Sequence, residues 1–220
     1  MKDNNPKRQR MKPNTQTGLF IDIEGLDGSG ASTQIDLLKK SLKSSKIEVY
    51  TTKEPTDNLI GGLARGALTG IYSLPAETLQ LLFVADRYHH LERQIVPILA
   101  NHSILITDRL CWSTIAFGSL NLSRTWLLNL HRYCVTPDLT IFLKVSPKVC
   151  IQRMEEDRFD FELFEEEKKL KRVWKTYEWL AKKFPKEIII VDGERSAQQI
   201  HREILNLVER NSKFRKLEKR

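Results

Sequence analysis

The chain has 220 residues, of which 40% are hydrophobic and 29% are charged. This composition suits one globular domain with a sizeable core, and no apolar run approaches the roughly 18 residues that a membrane helix needs. The first residues lack the apolar segment of a secretory signal, so we expect a cytoplasmic protein. Cys111, Cys134 and Cys150 lack the spacing of a zinc site, which favours reduced, buried thiols.

The net charge of +8 lies at the two ends of the chain. Residues 1–17 and residues 209–220 each carry a net charge of +4, so residues 18–208 are neutral overall. This division predicts a disordered basic N-terminal tail (1–17), a folded domain (18–208) and a basic, solvated C-terminal tail (209–220). Weak contact of the tails with RNA or another polyanion is the alternative interpretation.

Apolar runs alternate with amphipathic stretches along the folded part. The runs predict strands at 18–24, 47–52, 103–107, 139–145 and 187–191, and the stretches predict helices at 32–45, 59–68, 75–100, 161–184 and 197–208. Such alternation predicts an α/β fold with a five-stranded parallel sheet and helices on both faces. Polar segments follow the predicted strand ends, where open α/β sheets bind their ligands.

The loop after the first predicted strand is a phosphate-binding P-loop without its lysine. Residues 24–34 read EGLDGSGASTQ, in which Gly25, Gly30 and Ser32 fit the pattern G-x-x-x-x-G-K-[ST], while Ala31 stands at the lysine position. Backbone N–H groups and the following helix N-terminus hold phosphates in such loops. The sequence therefore predicts a three-layer P-loop NTPase fold that lacks the usual mobile cation at the transferred phosphoryl group.

Several ordered motifs accompany this loop. They are FI-x-x-EG-x-DG-x-G-x-STQ at 20–34, TKEP at 52–55, LF-x-ADR at 82–87, DR-x-x-x-S-x-x-AF at 108–117, PDLT at 137–140 and DRF at 157–159. In this order and spacing the chain resembles the thymidylate kinases over residues 18–208. Members of that family transfer a phosphoryl group from ATP to dTMP and are usually homodimers.

The resemblance implies an acceptor site for dTMP. Its predicted members are Asp27, Lys53, Glu54, Pro55, Phe83, Arg87, Arg109, Ser113, Thr114 and Phe117. Arg109 is expected to bind the acceptor phosphate, and Asp27 to lie near that phosphate and the sugar 3′-hydroxyl. Both are predicted catalytic residues.

The remaining acceptor residues are assigned to the nucleoside. The resemblance implies that Phe83 stacks on thymine, that Arg87 contacts the base or phosphate, and that Phe117 packs on the deoxyribose. Ser113 and Thr114 align with residues that contact the base edge. Taken alone, Phe83 would equally suit the core, and Arg87 a helix surface.

The donor site is predicted around the P-loop and the loop after the last strand. Its members are Gly25, Leu26, Asp27, Gly28, Ser29, Gly30, Ala31, Ser32, Thr33, Gly193 and Glu194. Ser32 and Asp108 are the predicted Mg²⁺ ligands, because Mg²⁺ prefers hydroxyl, carboxylate and phosphate oxygens.

Residues 153–164 occupy the place of the family's lid over ATP. Gly28 follows Asp27, where some members carry an auxiliary arginine, so the lid is expected to supply it. Arg153 and Arg158 are therefore predicted to be catalytic, and Lys53 or Lys144 are further substitutes for the missing lysine. A solvated helix turn is the alternative interpretation of the lid segment.

These observations favour an ATP- and Mg²⁺-dependent thymidylate kinase whose activity is reduced or compensated. Two alternatives stay open: a catalytically silent paralogue that binds nucleotides, and a kinase for another nucleoside or monophosphate. The sequence predicts the substrates ATP and dTMP, a homodimer and no membrane association.

Overall fold

A computed structural model describes residues 11–43, 46–154 and 160–219. The strands are β1 (Lys12–Pro13), β2 (Leu19–Gly25), β3 (Val49–Lys53), β4 (Ile104–Asp108), β5 (Val135–Thr136), β6 (Leu139–Lys144) and β7 (Ile188–Asp192). The helices are α1 (Ala31–Leu42), α2 (Leu59–Leu68), α3 (Ala76–His90), α4 (Val96–Ala100), α5 (Cys111–Gly118), α6 (Arg124–Leu130), α7 (Pro147–Met154), α8 (Asp160–Lys183), α9 (Ala197–Arg210) and α10 (Ser212–Glu218).

Five strands form a parallel sheet in the order β3-β4-β2-β6-β7. Side chains of β2 alternate between two apolar cores, with Phe20 on the face covered by α5 and α8 and Ile21 on the face covered by α1 and α9. The predicted α/β fold with helices on both faces is therefore confirmed. The P-loop follows β2, the central strand, so that strand ends on either side of it converge on one edge.

The predicted helix at 75–100 is present but is not uniform. A π-helical turn (Leu91–Ile95) joins α3 to α4, and the Val96 amide donates to the Leu91 carbonyl. Pro97 lies in the first turn of α4 and has no N–H to continue the regular ladder. The proline therefore gives a physical reason for the change of pitch before it.

The C-terminal segment 209–220 is not the solvated tail that its charge predicts. Residues 209–210 end α9, and α10 packs Phe214 and Leu217 into the core beside α1 and α9. Lys213 Nζ lies 2.8 Å from Asp138 Oδ1. The high density of lysines and arginines in this segment suggested a solvated tail, although Phe214 and Leu217 have the i,i+3 spacing of an apolar helix face.

The described part of the N-terminal segment is also attached to the domain. Lys12 and Pro13 pair with Val135 and Thr136 in a small two-stranded sheet. Asn14 donates through Nδ2 to Asp138 Oδ2 at 2.7 Å. The tail predicted for 1–17 therefore does not extend to residues 12–14. The three cysteines are free and buried, as predicted, and no described helix has the length and apolarity to cross a bilayer.

Candidate active site

The P-loop joins β2 to α1 and presents an uncapped helix N-terminus. Gly28 and Gly30 have φ angles of 77° and 88°, a region that favours glycine. A Cβ on Gly28 would lie 2.4 Å from the Cys150 carbonyl oxygen, so no side chain fits there. Gly30 is the N-cap of α1 and forms no side-chain cap, whereas Ser196 caps α9 through its hydroxyl. The first turn of α1 contains no acidic residue. The first turn of α1 is thus free to bind an anion.

Ala31 lies at the first position of α1, and its methyl group packs into the core beside Ile35. Position 31 therefore supplies no cation. Lys53 Nζ instead lies 3.6 Å from Asp57 Oδ1, and Lys144 Nζ lies 5.9 Å from the centre of the Trp174 ring. These contacts direct both lysines to partners outside the P-loop.

Arg153, on α7, does contact the P-loop. Its Nη1 donates to the Ser29 carbonyl at 3.3 Å, and its Nη2 donates to the Gly193 carbonyl at 3.1 Å. This side chain therefore links the P-loop to the loop that follows β7. Arg158, the other predicted lid arginine, lies outside the described residues.

The loop after β7 is fixed against the end of β6. Gly193 donates to the Lys144 carbonyl at 3.0 Å, and a Cβ on it would lie 2.5 Å from Val145 Cγ2. Glu194 Oε1 accepts from the Ser146 amide at 2.8 Å. The Ser146 side chain and then this amide lower the pKa of the Glu194 carboxyl group. The predicted donor-side residues Gly193 and Glu194 therefore lie on a loop that Arg153 joins to the P-loop.

A hydroxyl and a carboxylate meet between the P-loop and the end of β4. Ser32 Oγ donates to Asp108 Oδ2 at 3.0 Å. Both groups are hard oxygen ligands, and together they leave most coordination positions of an octahedral cation to phosphate and water oxygens. The chemistry of the two groups fits Mg²⁺ bound with a nucleotide, and the assignment of Ser32 and Asp108 as its ligands stays a prediction.

A cavity of about 530 Å³ lies beside the P-loop, within the size range of small-molecule sites. Nine of the ten predicted acceptor residues line it: Asp27, Glu54, Pro55, Phe83, Arg87, Arg109, Ser113, Thr114 and Phe117. Lys53 instead lines a neighbouring groove with Ser32 and Asp108. The cavity has an apolar wall of leucines as well, namely Leu68, Leu74, Leu79 and Leu110.

Arg109 directly follows the C-terminal end of β4 and has a strained backbone conformation. Its φ angle is 68°, which is uncommon for a residue with a side chain. Its Nη2 lies 2.7 Å from Asp27 Oδ1, and its guanidinium lies 5.2 Å from the centre of the Phe117 ring. Burial alone would lower the pKa of Arg109, but Tyr177 and then the nearby carboxylates, Asp27 first, raise it, so the guanidinium remains charged. A planar cation next to an acidic P-loop residue is suited to phosphate oxygens.

Arg87 forms a buried ion pair with Glu54. Its Nε donates to Glu54 Oε2 at 2.7 Å, and its Nη2 donates to Thr114 Oγ1 at 2.8 Å. Glu54 Oε1 also lies 2.9 Å from His90 Nδ1. Burial alone would lower the pKa of Arg87, but Glu54 raises it, so the guanidinium remains charged. The guanidinium is thereby fixed in the cavity wall.

The chain matches a known family over most of its length. The model of the thymidylate kinase family matches residues 23–204. The chain belongs to the thymidylate kinase family. The probable thymidylate kinase of Thermococcus gammatolerans is 38% identical over 201 residues, which cover 87% of this chain and 96% of that protein. The thymidylate kinase of Kosmotoga olearia is 34% identical over 197 residues, covering 85% and 93%, respectively.

A third relative, the probable thymidylate kinase of Pyrobaculum aerophilum, is 34% identical over 198 residues, covering 89% of this chain and 99% of that protein. The family that the sequence motifs predicted is confirmed, and with it the enzyme class, a kinase that binds nucleotides. The predicted function, phosphorylation of dTMP, is the activity of the thymidylate kinase family.

Within this thymidylate kinase fold, Glu24 holds elements that sequence analysis did not connect. Its carboxylate accepts from the amides of Leu110 and Ser113 at 3.0 and 3.1 Å, and from Tyr177 Oη at 2.8 Å. The Leu110 amide directly follows Arg109, so Glu24 fixes the turn that carries this arginine. The sequence signal was an acidic residue in a predicted buried strand. Such a residue is expected to have hydrogen-bond donors around it, but the sequence does not indicate which residues supply them.

The Ser113 hydroxyl has hydrogen-bond partners within the protein. Its hydroxyl donates to Glu24 and lies 2.7 Å from Tyr177 Oη. The hydroxyl therefore already has two partners within the protein, although the residue lines the cavity. The Thr114 hydroxyl likewise accepts from Arg87. The two hydroxyls therefore hold Glu24 and Arg87 in place.

Proposed function

We propose that this chain transfers the terminal phosphoryl group of ATP to the phosphate of dTMP, giving dTDP and ADP. The main support for the proposal is the cavity next to the P-loop. The Asp27–Arg109 ion pair lies where the cavity meets the P-loop. An acceptor phosphate bound at Arg109 would lie beside donor phosphates at the N-terminus of α1. Catalysis of such transfer depends mainly on positioning and charge neutralisation.

The proposed step joins one oxygen of the dTMP phosphate to the γ-phosphorus of ATP and breaks the bond from that phosphorus to the β–γ bridging oxygen. Arg109 would hold the acceptor phosphate and neutralise part of its charge. Ser32 and Asp108 would hold Mg²⁺, which supplies charge stabilisation to the donor phosphates when bound. Phe83 would provide the surface for base stacking, and Phe117 would pack on the sugar.

The test is an acceptor assay with ATP, Mg²⁺ and each of dTMP, dUMP, dCMP and thymidine. We expect dTMP to give the highest kcat/KM, with ADP and dTDP formed in equal amounts. A preference for another acceptor would replace dTMP in the proposal. Nucleotide binding without turnover of any acceptor would favour a silent paralogue, as the alanine at position 31 would suggest.

We further propose that Arg153 supplies part of the missing donor-side charge. Its bonds to Ser29 and Gly193 support this role, because they hold the guanidinium beside the phosphate-binding loop. We expect Arg153→Ala to lower kcat or raise KM for ATP by at least about tenfold, while KM for dTMP changes little. Steady-state kinetics with each substrate varied in turn measures both effects.

Lys148 provides the matched control, since it is an exposed cation on the same helix. Lys148→Ala should leave both KM values unchanged, and Arg153→Lys should restore part of the rate. Unchanged ATP kinetics in Arg153→Ala would refute the donor role of Arg153 and leave the proposed transfer standing.

We also propose that the protein is a homodimer. Leu59, Leu63, Ile71 and Leu81 are at least 47% exposed around α2 and α3, and exposed apolar groups of this kind favour association. Light scattering after size exclusion measures the mass directly. A mass of about 25.6 kDa would be that of a monomer and would contradict the proposal.

A further inference from the structure

One amide oxygen in the wall of the cavity has no hydrogen-bond partner among the described residues. Gln80 is only 6% exposed, and its Oε1 atom is buried without a partner in the described part of the chain. A buried polar atom left unpaired is costly, and natural proteins rarely retain one without a reason. A ligand that donates to this oxygen would remove the cost.

Gln80 lies on the face of α3 that forms the site. Phe83 and Arg87 follow it by three and seven residues, so the three side chains share one helix face. All three line the cavity. The amide therefore belongs to the same wall as the residues proposed for the base.

Gly118, on α5, packs against the Gln80 amide and leaves room for it. A Cβ on Gly118 would lie 3.0 Å from both Cδ and Oε1 of Gln80 and 3.0 Å from Leu127 Cδ2. Such contacts are tighter than ordinary packing, so a larger residue at 118 would displace the amide. Gly118 also lines the cavity, at the end of α5.

Burial of an unpaired glutamine oxygen is not by itself evidence for a ligand. Gln34 also has a buried Oε1 without a partner among the described atoms, but its Nε2 donates to the Ala197 carbonyl at 3.0 Å. Gln80 differs in lying against the substrate cavity. It is this location, together with the unpaired oxygen, that indicates a ligand.

We infer that Gln80 is a specificity-determining residue that hydrogen-bonds to the base edge of the pyrimidine monophosphate. The inference rests on the proposed function and specifies how the acceptor is recognised. Thymine and uracil present an N3–H donor between two carbonyl acceptors, and an amide carries an acceptor and a donor side by side. Rotation of the amide about its terminal torsion, which is broad for glutamine, turns Oε1 toward the cavity, where it accepts the N3–H while Nε2 donates to a neighbouring carbonyl.

Gln80→Met tests the inference because methionine has a similar length but forms no strong hydrogen bond. We expect Kd and KM for dTMP to rise roughly 10- to 100-fold, which is the effect of losing a buried hydrogen bond of this kind. KM for ATP should change by less than about twofold. The melting temperature should stay the same or rise, because the variant removes an unpaired buried oxygen.

Gln80→Glu provides an isosteric second variant. A carboxylate only accepts, so it can bind N3–H but repels the adjacent carbonyl of thymine, whereas the amino group of cytosine donates to it. The ratio of kcat/KM for dTMP to that for dCMP should therefore fall by about tenfold or more. Gln198→Met, at an exposed position on α9, is the control and should match the wild type in every measurement.

Calorimetric binding of dTMP separates failure of this inference from failure of the proposed function. A dTMP Kd within about twofold of wild type in Gln80→Met would overturn the inference and leave the kinase proposal intact. A lower melting temperature with parallel losses for dTMP and ATP would also overturn it, since it indicates a purely structural role. A wild type that does not bind dTMP would refute both.

Discussion

Arg109→Ala is expected to lower kcat/KM for dTMP by roughly 10³- to 10⁵-fold, the range found when a phosphoryl-transfer arginine is removed. The guanidinium is the cation that joins the cavity to the P-loop, through its 2.7 Å contact with Asp27. Its loss leaves Asp27 without a partner, and that carboxylate then repels the acceptor phosphate. Steady-state kinetics with dTMP varied at saturating ATP measures the effect.

Two further variants make this test specific. Arg132→Ala is the matched control, because Arg132 also lies over an aromatic ring, 4.8 Å from the centre of Tyr133, but on an exposed surface. It should retain wild-type kinetics. Arg109→Lys should recover only part of the lost rate, since an ammonium does not reproduce the planar fork. A loss below about tenfold in Arg109→Ala, with the variant folded, would contradict the assignment.

Glu54→Ala is expected to destabilise the protein by about 3–5 kcal/mol, because it leaves the buried Arg87 charge without its counter-ion. The Glu54 and Arg87 side chains are 4% and 2% exposed, so water does not replace the lost partner. For a chain of this size the loss corresponds to a melting temperature lower by roughly 6–20 °C. Calorimetric or spectroscopic unfolding measures it.

The half-exposed surface pair of Arg195 and Glu203 is the control for this variant. Glu203→Ala should cost less than about 1 kcal/mol, as surface ion pairs do. The double variant Glu54→Leu/Arg87→Met should recover much of the stability, because it removes both charges, yet it should not bind dTMP. If Glu54→Ala and Glu203→Ala lowered the melting temperature equally, the buried pair would have no special role.

Much of the fold follows from periodicity in the sequence. Each of the five predicted sheet strands is present within about two residues, since buried apolar runs are distinctive in a parallel sheet. The short β1 and β5 were not predicted, because two-residue strands have no periodicity. Helix α10 was missed since two apolar residues, Phe214 and Leu217, are surrounded by basic ones.

The part of the candidate site that lies within the sequence motifs was predictable. Most of the predicted acceptor residues share one cavity, because strand ends in a parallel sheet meet at one edge. The directions of Lys53 and Lys144 were not predictable, since Asp57 and Trp174 decide them. The contacts of Glu24 with α5 and α8 and the unpaired amide of Gln80 depend on tertiary packing, which local patterns do not specify.

Ala31 leaves the P-loop without its lysine, and the structure limits which groups replace that cation. Its methyl group lies in the core, and of the described cations considered as substitutes, Arg153 is the one bonded to the P-loop. The uncapped N-terminus of α1 and the Ser32–Asp108 pair retain the other donor-side features. We therefore expect phosphoryl transfer without a P-loop lysine.

The most direct test is a side-by-side measurement of dTDP formation by the wild type and by Ala31→Lys, with ATP and Mg²⁺. We expect the wild type to form dTDP with multiple turnovers, and the added lysine to alter the rate without being required for it. A wild type that forms no dTDP, beside an Ala31→Lys variant that does, would contradict the proposal that the chain transfers a phosphoryl group without a P-loop lysine.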